Sequence, residues 1–81
     1  MSNQIFLSES EKRCLALILR RQKAERSPYI PIPFLKLVPD YKRVLKELNR
    51  KALVSYYKKG EAVGLSEDGL YLALALIREG Y

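Results

Sequence analysis

Histidine is absent from this 81-residue sequence and cysteine occurs once, at Cys14. A single cysteine excludes an intrachain disulfide, and no Cys-based zinc site can be assembled around it. The same two shortages remove the commonest nucleophile–base pairs and the usual transition-metal ligands. Carboxylate-only catalysis would need two Asp or Glu in a recognisable motif, and none of the nine acidic residues forms one. The inventory therefore points away from an enzyme and calls for no metal or cofactor. No apolar run reaches the roughly 18 residues of a membrane span. The first residues lack the basic stretch and long apolar run of a secretory signal. A soluble, cytoplasmic protein is expected, with Cys14 acting as a small buried hydrophobe rather than a redox sensor.

Positive charge is what the chain has in plenty. Fifteen Lys and Arg face nine Asp and Glu, a formal charge of +6 with a pI near 9.6. Residues 1–81 suffice for one domain, which at this size buries only about 60% of its unfolded surface around a thin core. The charge favours an anionic partner, nucleic acid or a membrane surface, although solubility alone would also account for it.

Ser8 followed by Glu11 fits a capping box, opening a helix that runs to about Ala24 or Glu25. At 100° per residue, Glu11, Leu15, Ile18, Leu19 and Gln22 share one face, with Cys14 on its edge. Leu17 falls on the opposite side among Arg13, Arg20 and Arg21. "SPYIPIPFL" then places three prolines in six residues, which forbids a central strand. A short extended edge segment at Tyr29–Ile30 and a short helix over Phe34–Val38 are the readings that remain. Asp40 is placed to cap a helix from Tyr41 to about Lys51. "LVSYY" and "AVGL" read as short strands around a "KKGE" turn, and Ser66 caps the last helix.

The predicted order is α-β-α-α-β-β-α, an α+β fold that is mainly helical. It resembles the winged helix-turn-helix arrangement, and so do the residues "RVLKELNRKALVSYY" and "AVGLSEDGLYLALAL". In MarR-like and PadR-like regulators a recognition helix runs into a "Leu-x-x-Leu-x-x-x-x-Leu-Val" junction. A wing hairpin then leads into a helix beginning "Leu-Ser/Thr-Glu-x-Gly". Leu45, Leu48, Leu53 and Val54 match the junction here, and Leu65, Ser66, Glu67 and Gly69 match the helix start. The likeness covers roughly residues 8–79. It departs from the pattern at Ala52, where a glycine is usual, and in lacking the extra helices through which longer relatives dimerise. The resemblance implies a small DNA-binding transcriptional regulator.

The middle helix has a face suited to that task. Tyr41, Val44, Leu45, Leu48 and Ala52 cluster within about 100° as a stripe to be buried. Arg43, Lys46 and Arg50 fall almost opposite, with Lys42 and Glu47 at the margins. Arg pairs with guanine edges and Lys suits phosphate, while Tyr41 and Lys42 lie in the turn that approaches bases. Lys58 and Lys59 crown the following hairpin, where Gly60 supplies backbone freedom and a basic wing would meet the DNA backbone. Lys36 is a further phosphate candidate. Each of these features also has a plainer reading as solvated surface. The cluster Arg20, Arg21, Lys23 and Arg26 equally suits the negative end of a helix dipole.

"GLYLALALI" is apolar all round, which calls for burial on more than one side. Leu70, Ala73, Leu74 and Ile77 are assigned to the core, leaving Leu72 and Leu76, with Tyr71, to point away. A homodimer is expected in which Tyr71, Leu72 and Leu76 pack against a mate together with Leu17 and the segment Ile5–Leu7. The alternative to a DNA-binding regulator is a winged-helix protein-interaction module in a transcription, replication or repair assembly. A membrane-surface binder is disfavoured, since no one helix combines the basic and apolar faces.

Overall fold

A computed structural model describes residues 6–81. Helix α1 (Glu9–Glu25) opens on a complete capping box: the Glu11 N–H donates to Ser8 Oγ at 3.2 Å and the Ser8 N–H donates to the Glu11 carboxylate at 2.8 Å. It closes where Arg26 turns left-handed (φ 53°) and the Ser27 N–H reaches back to the Gln22 carbonyl. The proline-rich stretch then supplies strand β1 (Ile30–Pro31), one residue later than expected. In place of an α-helix over Phe34–Val38 there is a single 3₁₀ turn over Ile32–Leu35. Pro31 and Pro33 remove two N–H donors and Pro39 closes the segment. The remaining donors make tight three-residue bonds, Lys36 to Pro33 and Val38 to Leu35.

Helix α2 (Tyr41–Arg50), strands β2 (Val54–Tyr57) and β3 (Ala62–Leu65) and helix α3 (Glu67–Arg78) complete the chain. The domain is α+β and mostly helical, with a three-stranded antiparallel sheet in the order β1-β3-β2. β1 lies at an edge, the position a proline-containing strand requires. Val54 pairs with Leu65 and Tyr56 with Val63, while Ile30 joins Val63 from the other side. These residues share the face turned to the helices. Ser55, Tyr57, Ala62 and Gly64 share the other, because successive side chains alternate. On that outer face Tyr29 stacks on Tyr57, ring centroids 4.3 Å apart and planes 11° from parallel. Gly64 makes room for the stack, since a Cβ there would run into the Pro28 carbonyl and the Tyr29 ring.

Three helices close over the sheet. Cys14, Leu15, Ile18 and Leu19 from α1, Val44, Leu45 and Leu48 from α2, and Ala73 and Leu76 from α3 form one core with Ile30, Leu35, Val38, Leu53, Val54 and Val63. A buried ion pair joins the start of α1 to the end of α2: Lys51 Nζ lies 2.9 Å from both Glu11 carboxylate oxygens and donates to the Phe6 carbonyl at 2.8 Å. Glu11 is 5% exposed. The Tyr81 hydroxyl donates to the Glu9 carboxylate, holding the last residue to the first turn of α1.

The faces of α3 differ from the expected assignment. Leu76 is in the core and Leu72 is half-buried against it, whereas Leu70, Tyr71 and Leu74 are 40%, 72% and 37% exposed. Leu17 is also half-buried against the core. Of the residues assigned to a dimer contact, Phe6 and Tyr71 are exposed, Leu7 is half-buried, and Ile5 lies outside the described residues. An apolar run without gaps contains no periodicity to select its inner face. Selection comes from Gly69, whose missing side chain lets the first turn abut the Leu53 carbonyl. Gly69, Leu72, Ala73 and Leu76, spaced i, i+3, i+4, i+7, then turn inward together.

Candidate nucleic-acid interface

The surface around α2 is set by how that helix ends. Leu53 N–H donates to the Leu48 carbonyl at 2.9 Å and Ala52 N–H to the Asn49 carbonyl at 3.0 Å, the paired bonds of a Schellman turn. Ala52 carries the left-handed residue of that turn, at φ 61°. It is therefore exposed and beyond the helix, not part of the buried stripe. Glycine is the usual occupant because a Cβ in this conformation costs roughly 1–2 kcal/mol. Asn49 Nδ2 donates to the Val54 carbonyl at 3.0 Å, which aligns the start of β2 with α2. Ser66 ties the same junction to α3. Its hydroxyl donates to the Ala52 carbonyl at 2.7 Å and accepts from the Gly69 N–H at 3.0 Å, and its N–H donates to the Leu53 carbonyl. The hairpin thus leaves α2 in a direction braced by side-chain and backbone bonds together.

With Val44, Leu45 and Leu48 buried, α2 presents Lys42, Arg43 and Lys46 to solvent. These three line one cleft of about 430 Å³ with Tyr56 of β2. Tyr56 is not among the candidates that charge and helical spacing select. The available signal is its alternation with Val54, which places it on the sheet face next to α2. Burial, and secondarily Cys14, pushes the Tyr56 phenol above its ordinary pKa, so it remains a neutral hydroxyl beside the cations.

Lys58 stands two residues beyond Tyr56, hence within about 7 Å along the strand direction. Lys58, Lys59 and Gly60 all have positive φ, at 52°, 55° and 88°, and the Glu61 N–H closes the turn on the Lys58 carbonyl at 3.1 Å. Two lysines occupy backbone positions that glycine or asparagine would take with less strain. Lys42, Lys46, Lys58 and Lys59 make no ion pair among the described residues.

The remaining candidates stand apart from the cleft. Arg50 Nε and Nη2 both donate to Glu47 Oε1, at 3.2 and 2.7 Å, and this bonding holds the Glu47 carboxyl below its ordinary pKa. Tyr41 is half-buried against the core, and Lys36 is exposed in the turn after the 3₁₀ segment. Asp40 stands at the N-cap but is left-handed (φ 55°), so its carboxylate accepts nothing from the first turn. It lies instead 3.8 Å from Arg43. Arg21 of the second basic cluster rests over the Phe34 ring at 4.9 Å, a packing role.

Cys14 is fully buried, and burial, aided by Glu11, pushes its thiol up to about 12. Among the described residues, no group of three or more Cys, Asp or Glu is placed to hold a metal ion, and no helix is long and apolar enough to cross a membrane. Set against protein-family models, curated proteins and solved structures, the chain matches none.

Proposed function

We propose that this chain is a winged helix-turn-helix domain that binds duplex DNA and serves as a small transcriptional regulator. The observation that carries the reading is the single cleft in which Lys42, Arg43 and Lys46 of α2 meet Tyr56 of the hairpin strand. In this reading α2 lies in the major groove. Arg43, tethered among the described residues only by a long contact to Asp40, reaches a guanine edge in bidentate fashion. Lys42 and Lys46 meet flanking phosphates, and the Tyr56 hydroxyl donates to a phosphate oxygen. Lys58 and Lys59 extend the contact to the backbone beyond the helix. Strain retained at both tip lysines fits a position kept for charge rather than for stability. The element order and the junction from Leu48 to Gly69 support the winged-helix assignment.

Fluorescence anisotropy of a labelled duplex, titrated against random competitor, tests this reading. Arg43→Ala is expected to weaken binding about tenfold, within the 1–3 kcal/mol attributed to a bidentate base contact. Lys46→Ala should weaken it less and equally for all sequences. Circular dichroism should show both variants folded, since both side chains are exposed. Unchanged duplex affinity in both would replace this reading with the protein-interaction module.

A further inference from the structure

Helix α3 carries an outward stripe that none of the described residues covers. Glu67, Leu70, Tyr71, Leu74, Ala75 and Arg78 are all exposed, and their spacing of three and four residues places them along one side of the helix. The middle of the stripe is apolar, one end is acidic and the other basic. Glu67 and Arg78 make no ion pair among the described residues.

The order of these residues is self-complementary. When two such helices lie antiparallel about a two-fold axis, residues along the middle of the contact face mates whose numbers give a constant sum. Here 67 and 78, and 71 and 74, both sum to 145. A single axis therefore sets each Tyr71 against the mate's Leu74 and each Glu67 against its Arg78, while Leu70 and Ala75 flank the seam on opposite edges, each beside its own copy. The small Ala75 side chains leave room for close approach along one edge, and the end charges meet their opposites twice. A parallel pairing would instead bring Glu67 to Glu67 and Arg78 to Arg78, which like-charge repulsion opposes.

We infer that the outward stripe of α3 is an isologous docking surface for a second copy of this chain, with the two α3 helices antiparallel and Glu67 paired to the mate's Arg78. The contact is one helix wide and belongs with small interfaces that associate reversibly. This inference stands on α3 alone and is independent of DNA binding.

Sedimentation equilibrium of the full chain across a wide concentration range is the test. The expected result is a mass rising from 9.4 kDa toward twice that value as concentration increases. Leu74→Glu should abolish the rise. Glu67→Arg and Arg78→Glu should each weaken association at least about tenfold, by setting like charges opposite each other. The double variant Glu67→Arg/Arg78→Glu should recover it. A chain that stays at 9.4 kDa throughout overturns the inference. So does a dimer that Leu74→Glu leaves intact. So does a dimer in which the double reversal behaves no better than the single ones, which would remove the antiparallel pairing. Thermal melts of each variant confirm that any loss is not unfolding.

Discussion

Helix α2 turns Lys42, Arg43 and Lys46 to solvent, whereas α3 turns out Leu70, Tyr71 and Leu74, although both helices bury aliphatic side chains in the same core. Their inner faces respond to one demand, the filling of a thin interior, and are chemically alike. Their outer faces respond to no such demand and diverge. The difference between these two solvent-facing stripes of one small domain is the basis of the two partners proposed. α2 suits a polyanion and α3 suits an apolar, self-complementary surface. The two are held in one frame by the segment from Asn49 to Leu53 and by Ser66 and Gly69, which bond or abut each other directly.

Removing that frame should erase the comparison altogether. Gly69→Ala pushes a methyl group into the Leu53 carbonyl at a place where backbone meets backbone, and a cost above about 3 kcal/mol is expected. Urea unfolding should show the loss, and both outward stripes should lose function with it. Next comes Lys51→Ala, which strands the Glu11 carboxylate in the interior. About 3 kcal/mol should go, the lower end for breaking a buried pair because Lys51 keeps some exposure. Ala52→Gly works in the other direction. Relief of the left-handed alanine should add about 1 kcal/mol and raise the melting temperature by about 4–8 °C, leaving both stripes unchanged. The smallest effects sharpen the contrast. Lys46→Ala and Leu74→Ala should each move stability by no more than about 0.5 kcal/mol, since neither side chain belongs to the core.

Local chemistry made much of this legible in advance. Ser8 with Glu11, and Ser66 before an acidic first turn, marked two helix starts, and β-branched and aromatic residues around a Lys-Lys-Gly turn marked the hairpin strands. The stripe Val44, Leu45, Leu48 was readable because polar residues interrupt it at helical spacing. Where such interruption fails, so does the reading. From Leu70 to Ile77, α3 offered apolar residues at every position, and its rotation is decided by a contact between Gly69 and Leu53 that spans 16 residues of sequence. The Glu11–Lys51 pair joins side chains 40 residues apart, beyond any local pattern. Tyr56 entered the candidate interface through tertiary packing against α2, and Arg50 was set apart from it by its own neighbour Glu47. Asp40 shows that a good capping residue does not cap when its backbone is left-handed.

The central claim is that the outward cations of α2 and the hairpin tip meet one double-stranded polyanion together. Its most direct test is the slope of log K against log salt for duplex binding, measured for the native chain and for Lys58→Ala/Lys59→Ala. With two fewer phosphates neutralised, the slope should flatten by about 2 while the fold stays intact. Equal slopes, or native binding indifferent to salt, would contradict the account.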